Sequence, residues 1–103
     1  MIIYSVHITI QQTAAARWLE YMQQKHLNDV LQTGCFVSCR MLKQTDFSSE
    51  NAEQYVIQYT TASMEKLQHY FDEHALRLRQ DVVAHFGDSF TAERRIYEVI
   101  STL

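Results

Sequence analysis

Two glycines and no proline punctuate this chain of 103 residues, and each glycine, Gly34 and Gly87, directly follows a long stretch of helical periodicity. A helix end selects glycine because the position after the last turn often needs φ > 0. The pair therefore marks two helix stops and divides the chain into halves that each read strand, helix, strand. Residues Ile2 to Ile10 alternate, with Ile2, Tyr4, Val6, Ile8 and Ile10 on one face and Ile3, Ser5, His7 and Thr9 on the other. Thr13 is placed to cap a first helix that runs to about Thr33, and Ala15, Trp18, Leu19, Met22, His26 and Val30 form its inward stripe.

Strand-type alternation returns from Cys35 to about Lys43, with Cys35, Val37, Cys39 and Met41 on one side and Phe36, Ser38, Arg40 and Leu42 on the other. The polar stretch Gln44 to Gln54 has neither periodicity and reads as an exposed connection. Tyr55 to Thr60 then forms a third strand, paired with the second as a long-looped hairpin. Thr61 or Ser63 caps a second helix. Its inward stripe reads Met64, Leu67, Phe71, His74, Ala75, Leu78 and Val82, with Lys66, His69, Asp72, Arg79 and Gln80 pointing outward. Thr91 to Ile100 is the last strand, and its pattern leaves the inward face open. The order βαββαβ with right-handed crossovers predicts one ferredoxin-like α+β domain over residues 1–103. It is a four-stranded antiparallel sheet with two helices on one face, and the other face is bare.

Composition narrows the function classes. A hydrophobic fraction of 47% and a charged fraction of 20% suit a globular chain, which at this length buries roughly 65% of its unfolded surface without a metal or disulfide. The net charge of −3 and the scattered basic residues exclude a nucleic-acid footprint, since phosphate binding needs a concentrated Lys/Arg surface. Arg77, Arg79, Arg94 and Arg95 are the only basic concentration, and Arg77 and Arg79 lie about 200° apart around a helix. No apolar run approaches the roughly 18 residues of a membrane span, and the opening lacks a basic leader, so a cytoplasmic protein with no membrane partner is expected.

Cys35 and Cys39 share a strand face at roughly 13 Å, taking about 3.3 Å per residue, too far for a mutual disulfide. They have no zinc partners in register and read as reduced, largely buried thiols. His69 with Glu73, and Asp81 with His85, offer two ligands each where a metal needs three or four. No metal site and no cofactor are expected.

Chemistry is best sought on the bare sheet face, where parity aligns His7, Arg40 and Gln58. Arg40 can pair with a carboxylate or phosphate, His7 can exchange a proton, and Gln58 can orient a carbonyl. His26 and His74 sit in apolar helix stripes and are expected to be partly buried. They read either as perturbed groups at the margin of a ligand site or as structural histidines bonded to a backbone carbonyl, Asp29 or Glu73. The apolar residues of the bare face, with Ile3, Phe36 and Leu42 prominent, suit docking of a second copy.

The opening MIIYSVHITI, the helix WLEYMQQKHLNDVLQTGCF, the strand VIQYT and the run YFDEHALRLRQ together resemble a family of small bacterial proteins known only as a domain of unknown function. Trp18, Met22, His26, Gly34, Phe36, Arg40, Gln58, Tyr59, Tyr70 and His74 fall where that family's pattern places them. Leu76 departs from it, because relatives often carry proline there, and its presence predicts a second helix without a kink. The resemblance implies a ferredoxin-like domain similar to the dimeric α/β-barrel proteins, a group whose activities are too varied for fold to select one. Two functions follow as expectations. One is a homodimeric barrel that binds a small organic ligand between its sheets. The other is a non-catalytic interaction or regulatory module that uses the open sheet face.

Overall fold

The computed structural model describes residues 1–103. Strands β1 (Ile2–Gln11), β2 (Ser38–Lys43), β3 (Ala52–Thr61) and β4 (Phe90–Glu98) form one antiparallel sheet in the order β2-β3-β1-β4. Helix α1 spans residues 12–31 and helix α2 residues 64–86, and each carries one π-helical turn, Met22–His26 in α1 and Phe71–Ala75 in α2. This is the expected ferredoxin-like arrangement. The apolar face of β1 turns toward the helices, and Tyr4, Val6, Ile8 and Ile10 are all buried there. Register carries the inward parity across the sheet, from Ile8 to Tyr55, Val6 to Ile57 and Tyr4 to Tyr59 on β3, and from Ile8 to Ala92 and Val6 to Arg94 on β4.

Trp18 on α1 is fully buried and packs on Tyr55 with ring centroids 5.2 Å apart. Tyr4 anchors the other end of the core, with Phe71 edge-on at 5.2 Å and Tyr59 stacked at 5.9 Å. Such aromatic pairs contribute about 0.5–1.5 kcal/mol each beyond their buried area.

Several local expectations are corrected. Thr13 does not cap α1, which begins two residues earlier with Gln11 at the cap position and no side-chain bond. Distant carbonyls serve the chain there instead, because Gln12 N–H donates to Asn51 O at 2.8 Å and Gln11 N–H to Ser89 O at 2.9 Å. Of the two caps considered for α2, Ser63 accepts from Lys66 N–H at 3.2 Å. Thr61 instead belongs to β3, where its buried hydroxyl donates to Cys35 O at 2.7 Å.

The second strand starts at Ser38 and not at Cys35, so strand parity does not extend back to Phe36 and Val37. Phe36 therefore turns into the aromatic core beside Tyr59 and Tyr70, and Val37 is left exposed. The third strand is longer than predicted, taking in Ala52, Glu53 and Gln54 from the supposed loop. In α2 the buried run is Leu67 and Tyr70, then Ala75, Leu78, Val82 and Phe86, while Met64 is exposed. The five-residue step from Tyr70 to Ala75 is the π-helical turn. It breaks α-geometry immediately before Leu76, where the absence of proline had predicted an undisturbed helix.

Candidate functional site

The inner sheet face and the two helices do not close completely on one another. Between them lies a cavity of about 330 Å³. Its floor is apolar and aromatic, made by Tyr4 and Val6 of β1, Tyr59 of β3 and Phe90 of β4, and its helical wall by Trp18 and Met22 of α1 and Tyr70 and Val82 of α2. Two cationic residues join this mostly apolar lining, the half-buried Arg79 on α2 and the exposed Arg94 on β4. Arg79 Nη2 donates to Tyr4 Oη at 3.1 Å, so its cation is tied to the hydroxyl end of the Tyr4 ring.

His26, from the π-helical turn of α1, also lines the cavity and is only 9% exposed. Burial drives its pKa down to about 4 against the opposing pull of Asp29 and Asp81, so the ring is neutral near pH 7. Its Nδ1 is buried without a hydrogen-bond partner. Asp29, the side chain proposed to satisfy it, is bound to Lys25 Nζ at 2.6 Å. Burial pushes Tyr70 up to about 12, aided by Tyr4 and opposed by Arg79 and Arg94, and raises Tyr59 well above its ordinary value. Both phenols stay protonated at neutral pH. The cavity thus offers aromatic faces, neutral hydroxyls, the neutral His26 ring in its wall and two cationic side chains, of which Arg79 is tied to Tyr4 and Arg94 is exposed. That set suits a flat organic molecule bearing an anionic group.

The other residues singled out in the sequence lie elsewhere. His7, Arg40 and Gln58 do share the open sheet face, as parity required. Arg40 Nε donates to Gln58 Oε1 at 2.8 Å, and His7 Nε2 lies 3.0 Å from Ser5 Oγ. The pKa of His7 is lowered by burial and by Arg95, against Glu93. His7 borders a polar hollow of about 220 Å³ with Gln54, Glu93 and Arg95, while Arg40 and Gln58 stand outside it. His74 is half-buried at a polar surface between the helices, with Nδ1 3.4 Å from Arg77 Nη2. The structure therefore brings together the open-face trio but separates it from His26, and separates both from His74.

Arg79, placed outward by a uniform helical wheel, and Arg94, left unassigned on a strand of open parity, were the residues sequence reasoning missed. For Arg94 a signal exists: it lies between Ala92 and Ile96, at the parity of the only small residue in β4. For Arg79 the wheel misleads because the π-helical turn shifts the register of every later residue.

Over residues 1–100 the chain matches the family described as "Domain of unknown function (DUF4286)". It belongs to that family. No match was found among curated proteins. Among solved structures, this DUF4286 chain is similar to the Arabidopsis thaliana protein At3g17210, with a TM-score of 0.72 and 15% identity over 100% of this chain and 99% of that one. It is also similar to a dimeric ferredoxin-like protein from an uncultured marine organism, with a TM-score of 0.70 and 14% identity over 100% of this chain and 98% of that one. A third is SnoaB, a cofactor-independent oxygenase from Streptomyces nogalater, with a TM-score of 0.64 and 14% identity over 99% and 96%. At these identities the likeness establishes the fold alone.

Proposed function

We propose that this DUF4286 protein binds a compact aromatic anion, about the size of a mono- or bicyclic carboxylic acid, in the cavity between its helices and its sheet. The observation that carries this reading is the convergence of Arg79 and Arg94 with the unpartnered His26 on one aromatic-lined space. A buried polar atom left without a partner costs about 1–3 kcal/mol, and a ligand hydroxyl or amine filling the cavity would remove that cost. With its pKa near 4, His26 is too weak a base for general-base work at neutral pH and serves better as a hydrogen-bond partner. The reading is therefore binding. SnoaB is a cofactor-independent oxygenase on this fold, but 14% identity does not bring its chemistry to this chain.

The same proposal makes the protein a homodimer through the open sheet face. The exposed Leu42 and Tyr97 on that face, together with the dimeric state named for one structural neighbour, support it. His7, Arg40 and Gln58 then belong to the subunit contact, where the Arg40–Gln58 and His7–Ser5 pairs already satisfy one another. An interaction module using that face is the alternative reading, and it is distinguished by the cavity remaining without a ligand.

Calorimetric titration with a panel of aromatic carboxylates and their neutral amides tests the cavity. The acids are expected to bind more tightly than the amides. Arg94→Gln should weaken binding of the acid about tenfold, which is about 1.4 kcal/mol, and leave the amide unchanged. Equal loss for acid and amide, or no binding of any panel member, defeats the reading.

A further inference from the structure

Away from the cavity, three donors of metal-binding type converge at the surface where α2 meets the turn after α1. The ligand atoms of Cys35, His69 and His74 all lie within 4.8 Å of one another. The sequence weighed Cys35 only against Cys39, and His69 only against Glu73. The fold makes a different set, and the way it does so is specific.

His69 and His74 are five residues apart. In an α-helix that interval turns the two side chains away from one another, since neighbours on one face are three or four apart. Here the interval spans the π-helical turn Phe71–Ala75, whose hydrogen bonds close over five residues and so return i and i+5 to one face. The imidazole centroids are 5.7 Å apart as a result.

Cys35 arrives from the other side. It follows Gly34, whose φ of 77° turns the chain back beneath α2. Its backbone is held at both ends, with N–H donating to Thr33 Oγ1 at 3.3 Å and C=O accepting from the buried Thr61 hydroxyl at 2.7 Å. The thiol itself has only a long contact to Thr33 O, at 3.9 Å.

We propose that Cys35, His69 and His74 form a binding site for one borderline transition-metal cation of the Zn²⁺ class. One thiolate and two imidazoles match the sulfur and nitrogen donors Zn²⁺ takes, and three protein ligands leave a fourth tetrahedral position open. Zn–S and Zn–N bonds of about 2.3 and 2.0 Å place ligand atoms about 3.5 Å apart, so the donors close by roughly 1 Å on binding. His69 is exposed and His74 half-buried, and both can move by that much, while the buried Cys35 stays fixed. Of the cations near His74, Lys25 is paired with Asp29, and Arg77 is exposed and holds His74 Nδ1 only at 3.4 Å, at the outer limit of a hydrogen bond.

The site is independent of the proposed ligand cavity, and its test does not involve one. Co²⁺ titrated into the full chain under reducing conditions should give, at one equivalent, tetrahedral visible bands and a sulfur-to-cobalt charge-transfer absorption, both abolished by added Zn²⁺. Cys35→Ser should remove the charge-transfer absorption. His69→Ala and His74→Ala should each weaken binding at least about tenfold, and Cys39→Ser should change nothing. His69 is exposed and packs into no core, so its variant keeps the fold, as circular dichroism will verify. Absence of both absorptions in the natural chain overturns the site, as does survival of the charge-transfer absorption in Cys35→Ser or its loss in Cys39→Ser.

Discussion

His26 shows how one residue can link stability to the candidate site. Its pKa is held at about 4 in the folded chain and returns to about 6.5 on unfolding, so between those values the unfolded state binds the proton and the folded state does not. Stability is full above pH 6.5 and is lost as pH falls through that window, by a total of about 3 kcal/mol. Urea unfolding at pH 7 and pH 5 should show the natural chain losing about 2 kcal/mol more than His26→Leu over that interval. His7 is shifted in the same direction, so the variant retains a smaller slope. Equal losses in the two proteins would mean that His26 titrates normally and is not the buried neutral ring the cavity requires. In the sequence, only the position of His26 in an apolar stripe could be read. Its missing partner could not, because Asp29 was equally available to His26 and to Lys25, four residues earlier on the same helix, and the fold gave it to Lys25.

The elements show where periodicity succeeds and where it fails. Strand β1 was legible because it is central, pairs on both sides and alternates strictly. Strand β2 lost its first three predicted residues, since alternation in a sequence continues through Cys35 to Val37 whether or not the backbone there joins a sheet. The helix stops were legible in the two glycines. Gly87 closes α2 with φ 55° and ψ −127°, a backbone region outside the ordinary left-handed well and open essentially only to glycine. An alanine there meets no side chain or backbone within 4 Å, so its cost is conformational alone. Gly87→Ala should destabilise the protein by about 1–3 kcal/mol, measured by chemical denaturation, and a loss under 0.5 kcal/mol would mean that the turn relaxes. The two π-helical turns left no trace in the pattern, yet the one in α2, Phe71–Ala75, sets the register that carries Arg79 to the cavity and His74 to His69.

At the scale of the molecule, one sheet face is closed by helices and the other carries Leu42, Val56, Ile3 and Tyr97 around a polar centre of Ser5, His7, Arg40 and Gln58. Burying that face in a homodimer predicts a solution mass of twice the chain, measured by light scattering. Leu42→Asp with Tyr97→Asp should reduce it to the monomer mass while circular dichroism stays unchanged, because both side chains are exposed in the single chain and support no core. A natural chain that is monomeric at micromolar concentration would remove the dimer and leave the open face as a surface for another partner. The cavity lies on the opposite side of the sheet, so loss of the dimer and loss of ligand binding are separable results. No helix of the chain is long and apolar enough to cross a membrane.

The amino-acid sequence by itself determined the βαββαβ order, the face of β1 that is buried, where each helix stops to within a few residues and the alignment of His7, Arg40 and Gln58. Each of these depends on spacing within one element, or on the parity that strand pairing carries from one strand to the next. Only the tertiary structure decided that Arg79 and Arg94 line one cavity with Tyr4, that His26 Nδ1 is left without a partner, and that Cys35 faces two histidines more than thirty residues away. Those outcomes depend on competition among partners from different elements, and on a local change from α- to π-helical hydrogen bonding that packing selects and periodicity cannot encode.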